Sequence, residues 1–227
     1  MQTLDVIAHI RTDFPAKFGI PRQSGLVDAL AGEIVFTEKY RDASALRGIE
    51  GYSHLWLIWQ FSETVTEKFS PTVKPPRLGG NTRMGVFATR SPYRPNPLGL
   101  SCVRLLGVEL STPRGPVLRV AGADLMDGTP IYDIKPYLPS VDSHPDAKGG
   151  FTDDIDYPQL RVDFPRPLLD RIPEAKRAAL DEVLAQDPRP GYRHDGDGKR
   201  YGVRFAGFDV RFVVDGETLH VVEVEAL

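Results

Sequence analysis

The chain has 227 residues, 41% hydrophobic and 26% charged, with a formal net charge of −3. This composition is that of an ordinary globular protein and excludes a disordered chain, and the net charge argues against bulk nucleic-acid binding. No apolar run reaches the roughly 18 residues of a membrane span, and no signal-sequence pattern opens the chain. The single cysteine, Cys102, excludes an internal disulfide and a CxxC metal site. We expect a cytoplasmic protein without a membrane partner or a bound metal.

The apolar pattern predicts a mainly β fold. Segments rich in β-branched or aromatic residues, mostly bounded by Gly, Pro, Asn or Asp, predict strands at 4–10, 32–36, 54–61, 84–89, 100–110 and 117–122. No long amphipathic helix alternates with these strands, which favours a β-barrel or curled sheet over a doubly wound α/β sheet. The loops at 11–31, 62–83 and 89–99 are too long for hairpin turns, and such loops are often functional.

Basic residues are concentrated in one part of this pattern. From residue 68 to residue 108 the chain has no Asp or Glu but seven basic residues, namely Lys68, Lys74, Arg77, Arg83, Arg90, Arg94 and Arg104. A basic surface on an otherwise acidic chain is typical of proteins that bind a phosphate-bearing partner. Solvated surface charge is the alternative explanation for each residue taken singly.

The C-terminal part predicts a second domain. An acidic segment poor in apolar residues, 142–158, marks the boundary, and a strand at 160–164 and a helix at 173–186 follow it. Apolar segments at 200–214 and 218–226 then predict a hairpin about Asp215-Gly216. We therefore predict a single-sheet β-barrel domain over residues 1–150 and a small α+β domain over residues 151–227.

Four segments carry chemically distinctive residues: KFGIPRQSGL (17–26), GYSHLWLIWQF (51–61), ATRSPYRPNPLGLS (88–101) and DLMDGTPIYDIKPYLP (124–139). Prolines stiffen the first and third segments, which reduces the entropy lost when a ligand is bound. In the fourth segment, Asp127-Gly128 is explained by a plain turn. A turn does not require Asp133, Lys135 or the two tyrosines, which are either core rings or stacking partners for bases.

Together these segments resemble the bacterial tRNA methyltransferases called TrmO, or TsaA-like proteins. The resemblance extends over most of the chain, including the C-terminal DPRPGYRHDGDGKRYGVRFAGFDVRF, and is weakest from about 145 to 186. It implies a β-barrel enzyme that transfers a methyl group from S-adenosylmethionine to N6 of threonylcarbamoyladenosine at position 37 of tRNA, beside the anticodon. It also implies a homodimer with cofactor sites near the subunit interface. Ser24 is a departure, because a proline is common there in the family.

The resemblance also implies roles for particular residues. The implied cofactor contacts are Pro21, Arg22, Gln23, Trp59, Gln60, Arg90, Leu100, Asp127, Gly128, Thr129 and Pro130. Removing the N6 proton during attack would help a weakly nucleophilic nitrogen, and the candidate catalytic residues are Asp127, Asp133 and Tyr137. The candidate tRNA contacts are Arg77, Arg83, Tyr93, Arg94, Asn96 and Lys135. A turn-capping role remains the alternative for Asp127.

Two other functions remain open from the sequence. A non-catalytic module would bind S-adenosylmethionine or RNA with the same loops but perform no chemistry. The other alternative is a hydrolase using Asp127 and His54, although nothing in the sequence supplies an activated nucleophile or a metal.

In the second domain, Arg200, Arg204 and Arg211 suggest a contact with the body of the tRNA.

Overall fold

The computed structural model describes residues 3–63, 69–75, 78, 82–155, 158–189 and 198–227. Its first domain is a closed six-stranded antiparallel barrel, with a two-stranded hairpin outside it. The strands of this domain are β1 (Ala8–Arg11), β2 (Ala31–Phe36), β3 (His54–Gln60), β4 (Thr72–Val73), β5 (Met84–Gly85), β6 (Leu98–Glu109), β7 (Val117–Ala121) and β8 (Pro130–Pro136). The barrel order is β1-β2-β7-β6-β3-β8, and β4 pairs with β5. The predicted mainly β barrel is confirmed.

Alternation along β3 and β6 explains how the barrel is filled. Leu55, Leu57 and Trp59 of β3 are buried, and the residues between them are half-buried. On β6, Ser101 and Val103 likewise point inward. Because successive side chains of a strand point to opposite faces, each strand contributes one row to the core and one row to the outer surface.

The strand predictions from the sequence missed β8, whose residues were interpreted only as a motif.

The second domain is a four-stranded sheet covered by a helix. The first domain ends in a short helix α1 (Pro139–Asp142), and the elements that follow are β9 (Arg161–Asp163), α2 (Arg166–Leu169), α3 (Glu174–Ala185), β10 (Tyr201–Phe205), β11 (Phe208–Asp215) and β12 (Thr218–Ala226). The sheet order is β10-β11-β12-β9, with β9 parallel to β12. Among the described residues, no helix is long and apolar enough to cross a membrane.

One strand of the second domain was predicted wrongly. The apolar segment 200–214 is not a single strand but two, because the chain reverses at Ala206-Gly207. Both residues have positive φ, 50° and 84°, as a tight two-residue hairpin turn requires. The predicted helix and the turn at Asp215-Gly216 are confirmed.

Residues 12–30, which link β1 to β2 and are called the 12–30 segment below, pack against the second domain. Phe14, Val27 and Leu30 are buried in the same apolar cluster as the inward side chains of α3, β10 and β11. The barrel has a separate apolar cluster. The segment thus packs its apolar side chains against the second domain, while covalent continuity and hydrogen bonds such as that from the N–H of Gly25 to the carbonyl of Gly122 join it to the barrel.

Candidate functional site

Parts of two distinctive segments, 17–26 and 88–101, meet at one place on the barrel. Nη1 of Arg90 donates a hydrogen bond to Oε1 of Gln23. One residue further along, the hydroxyl of Ser24 accepts a hydrogen bond from the backbone N–H of Cys102 at 3.1 Å. Two of the candidate cofactor residues, Gln23 and Arg90, are therefore direct neighbours although they lie far apart in the sequence.

Pro21 and Arg22 lie next to this contact. Pro21 is buried and Arg22 is exposed. Nη2 of Arg22 donates to the backbone carbonyl of Asp187, in the second domain, at 3.3 Å. A guanidinium has five N–H donors in a fixed fork, and it can bind a carboxylate bidentately.

A chain of hydrogen bonds runs from the barrel interior to the same place. Nε1 of Trp59 donates to Oγ of Ser101 at 2.9 Å, and Oγ of Ser101 donates to Oδ1 of Asp124 at 2.6 Å. Burial raises the pKa of the Asp124 carboxyl above its ordinary value, while the hydrogen bond from Ser101 and the charge of Arg90 act in the opposite direction. Asp124 is thus hydrogen-bonded to the barrel core through Ser101, and the charge of Arg90 acts on its carboxyl.

Strands β3 and β6 place the other candidate cofactor residues on two faces. Trp59 points into the barrel and packs so closely over Gly99 that a Cβ atom there would lie 2.2 Å from the indole ring. Gln60 faces outward and its Oε1 accepts a hydrogen bond from the hydroxyl of Tyr132. Leu100 also faces outward and is 51% exposed. Trp59 can support the site from inside, whereas Gln60 and Leu100 can contact a ligand.

The turn formed by residues 127–130 is tied to the end of β1. Oδ1 of Asp127 accepts a hydrogen bond from the backbone N–H of Thr12 at 3.0 Å, and Oδ2 lies 3.4 Å from Nη1 of Arg11. Gly128 has a φ of 78°, in the left-handed region that favours glycine. The Asp127 carboxylate therefore ties the turn to the end of β1, which differs from the capping of its own turn that the sequence left open.

Strand β8 separates the three candidate catalytic residues. Asp127 precedes the strand, Asp133 lies in it and Tyr137 follows it, and a seven-residue strand spans about 20 Å. Oδ2 of Asp133 forms an ion pair with Nζ of Lys135 at 2.9 Å. The ring of Tyr137 packs beside that of Trp56, with centroids 5.8 Å apart. Within one chain, the three residues do not form a single cluster.

The loop at 86–97 presents exposed aromatic side chains. Phe87 is 73% exposed and Tyr93 is 50% exposed. Arg94 lies with its guanidinium 6.0 Å from the centre of the Phe87 ring, and its Nη1 donates to the backbone carbonyl of Thr89 at 2.6 Å. Arg94 therefore stabilises the loop that was predicted to contact tRNA, while the exposed side chain of Asn96 lies further along it.

The other basic candidates lie on the β4–β5 hairpin or beyond the described residues. Arg83 precedes β5 and donates to Oγ1 of Thr72 at 2.6 Å. Lys74 follows β4 and is exposed. Arg77 lies outside the described residues. In the part of the chain that the structure describes, no three His, Cys, Asp or Glu side chains converge as a metal site would require.

Several residues of this region were missed from the sequence. Asp124 opens the 124–139 segment, but its bond to the inward-facing Ser101 depends on how the barrel closes. Ser24 was read only as a departure from proline, yet its hydroxyl binds the backbone of β6. Phe87 lies in the basic segment, next to the 88–101 motif. That position could have indicated an exposed ring near the predicted tRNA contacts.

Comparison with known proteins finds the family that the sequence resembles in both domains of the chain. The family model described as the tRNA-methyltransferase O N-terminal domain matches residues 9–143, and that of the TrmO C-terminal domain matches residues 158–227. The chain is 42% identical over 226 residues to the Escherichia coli protein named tRNA (adenine(37)-N6)-methyltransferase, with 96% of each chain covered.

Two further similarities concern the fold and the cofactor. The crystal structure of TrmO from Pseudomonas aeruginosa superposes with a TM-score of 0.79 at 33% identity, and all of both chains is covered. A Pyrococcus abyssi protein named "Probable S-adenosyl-L-methionine-binding protein" is 34% identical over 145 residues, which cover 64% of this chain and 73% of that protein.

Proposed function

Because the chain belongs to the TrmO family of tRNA methyltransferases, we propose that it methylates N6 of the adenosine at position 37 of tRNA with S-adenosylmethionine. We further propose that the acceptor is threonylcarbamoyladenosine, and that the enzyme acts as a homodimer in the cytoplasm. The observation that carries this proposal is the match of both family models, which together cover residues 9–143 and 158–227.

The residues around Gln23 and Arg90 suit such a cofactor. The guanidinium of Arg90 can pair with the methionine carboxylate, and it is already oriented by Gln23. Leu100 offers an exposed apolar side chain for the adenine face. The turn at residues 127–130 can offer backbone carbonyl groups for the adenine edge, since its N–H groups donate to Phe14, Ile10 and Met126. A ligand with both charged and aromatic parts requires this mixture of donors and apolar surface.

When bound, S-adenosylmethionine supplies an activated methyl group on a sulfonium, whose departure leaves a neutral thioether. The contribution of the chain is then alignment of N6 with the methyl carbon, for which effective molarity can provide roughly 7–11 kcal/mol. N6 must lose a proton as the new N–C bond forms. The proposal assigns that proton to Asp127 or Asp133, and the side chain of Asp133 is 44% exposed, with its Oδ2 2.9 Å from Nζ of Lys135.

The acceptor fits the loop at 86–97. Proteins that read RNA sequence bind unstacked bases in single-stranded loops, commonly on aromatic side chains. Phe87 and Tyr93 provide exposed rings on a segment rich in basic residues. Lys135 can contact phosphates or the carboxylate of the threonylcarbamoyl group.

The test is methyl transfer from labelled S-adenosylmethionine to two tRNA pools, one with and one without threonylcarbamoyladenosine. We expect label only in the modified pool, and loss of cofactor binding in Arg90→Ala. Label in both pools would support a tRNA methyltransferase but contradict the proposed specificity for threonylcarbamoyladenosine. Label in neither pool, with cofactor binding still measurable by calorimetry, would instead indicate the non-catalytic module.

A further inference from the structure

We propose that the second domain is a positioning element of the cofactor site, because it holds the segment that carries Pro21, Arg22 and Gln23. This inference rests on the proposed function, since it concerns the same cofactor site. It assigns the second domain a task other than contacting tRNA.

The apolar side chains of the 12–30 segment are anchored in the second domain. Phe14 is fully buried and meets Phe205 of β10 edge to face, with ring centroids 5.2 Å apart. Gly19 approaches Val203 so closely that a Cβ atom at that glycine would lie 2.7 Å from the valine side chain. Burial of this kind is the main source of order for a loop without regular structure. The second domain therefore orders the segment at both Phe14 and Gly19.

Polar contacts attach both ends of the segment to the same domain. Nζ of Lys176, on α3, lies 2.6 Å from Oδ2 of Asp13, whose side chain is only 16% exposed. The backbone N–H of Ala206, in the β10–β11 turn, donates to the carbonyl of Asp13 at 2.8 Å. At the far end, Oε2 of Glu182 accepts from the backbone N–H of Ala29 at 3.5 Å. A partly buried ion pair and two backbone contacts thus fix the path of the chain.

The apex of the segment receives a direct contact from the second domain. Arg22 donates to the carbonyl of Asp187, just after α3. Asp187 has a positive φ of 51°, which is uncommon for a residue other than glycine. Nε and Nη2 of Arg189 bind the two carboxylate oxygens of Asp187, both at 2.8 Å. The Arg189 fork therefore holds the turn that presents the carbonyl to Arg22.

The opposite face of the segment contacts the barrel near the reacting groups. Gln23 accepts from Arg90, and Ser24 accepts from the backbone of Cys102. The carbonyl of Phe14 accepts from the backbone N–H of Asp127 at 2.8 Å. A displacement of the segment would thus move the partner of Arg90 and the turn at Asp127 together.

Two arginines of the second domain, Arg200 before β10 and Arg211 in β11, support the same assignment. Arg211 lies near three carboxylates, with its guanidinium 3.3 Å from Asp209, 3.3 Å from Glu223 and 3.7 Å from Glu225. Arg200 lies 3.6 Å from Glu223. A surface where acidic side chains match the basic ones is a poor attractor for phosphates. The suggestion that Arg200 and Arg211 contact the tRNA body is weakened accordingly.

The experiment compares Lys176→Met and Arg189→Met with two controls in the full chain. Lys176→Arg retains the charge opposite Asp13, and Arg166→Met breaks an exposed ion pair with Asp170 that lies away from the segment. The readouts are calorimetric affinity for S-adenosylmethionine, affinity for tRNA, and hydrogen exchange of residues 13–30. We expect the two Met variants at these positions to lose about tenfold in cofactor affinity, or ~1.4 kcal/mol.

The same variants should show faster exchange in residues 13–30 and tRNA affinity within about twofold of the parent chain, a difference of roughly 0.4 kcal/mol. Both controls should bind the cofactor like the parent. Unchanged cofactor affinity in both test variants would overturn the inference, and a loss confined to tRNA affinity would indicate a domain that contacts RNA instead. If the parent chain itself binds no S-adenosylmethionine, the proposed function fails and not this inference alone.

Discussion

Burial and hydrogen bonding act in opposite directions on Asp124. Burial raises the pKa of this carboxyl and is the larger effect, while Ser101 and Arg90 favour the ionised form. The carboxyl in the unfolded chain titrates at about 3.9. Between that value and the raised pKa of the folded chain, the native state holds more protons than the unfolded state. The contribution of Asp124 to the free energy of unfolding therefore falls as the pH rises through this interval.

Asp124→Asn removes this titration. We expect the free energy of unfolding of the variant, relative to the parent chain, to rise with pH across the interval and to become constant above the raised pKa. Urea unfolding of both proteins at several pH values from 4 to 8 measures this difference. A difference that does not change with pH would show that folding does not alter the pKa of Asp124.

At the scale of elements, the contact between β3 and β6 depends on Gly99. A methyl group at this position would overlap the Trp59 indole, which also donates to Ser101 inside the barrel. Overpacking of a core typically costs roughly 1–3 kcal/mol. We expect Gly99→Ala to lower the unfolding temperature and to shift the tryptophan fluorescence, because Trp59 is one of only two tryptophans.

Gly107→Ala is the matched control on the same strand. A Cβ atom at Gly107 would meet nothing within 4 Å. Where the backbone suits alanine, this exchange restricts the unfolded chain and stabilises a protein by about 0.4–1 kcal/mol. Equal unfolding temperatures for the two variants would mean that the Trp59 ring can move aside without cost.

At the scale of the whole molecule, charge is unevenly distributed on a chain with a net charge of −3. We expect tRNA affinity to fall steeply with added salt despite this net charge, because binding releases counterions from each neutralised phosphate. A double variant, Lys74→Ala with Arg83→Ala, removes two adjacent charges from the β4–β5 hairpin. It should make the slope of log affinity against log salt shallower by roughly 1–2, at about 0.7–0.9 per phosphate contact.

The control removes two charges from other exposed positions, Lys39→Ala with Lys148→Ala. Its salt dependence should match that of the parent chain, although its net charge equals that of the test variant. Identical slopes for both double variants would show that net charge governs the association and that the hairpin is not part of the RNA surface.

The sequence alone determined the features that depend on local pattern. Richness in β-branched and aromatic residues predicted the strand at 54–61. Because successive side chains of a strand point to opposite faces, Leu55, Leu57 and Trp59 then share one face. The motif at 88–101 predicted a stiff basic loop, and the resemblance of four segments predicted the family. These properties depend on neighbours within a few residues, or on residue identity itself.

Strand order and register determine which of these residues meet. Asp124 reaches Ser101 because β7, which ends three residues before Asp124, pairs antiparallel with β6. Ser24 reaches β6 from the segment that links β1 to β2. Asp127 likewise contacts Thr12, and the 12–30 segment packs against a domain that begins over 100 residues later. Contacts between distant residues depend on strand order and register, which local patterns do not encode.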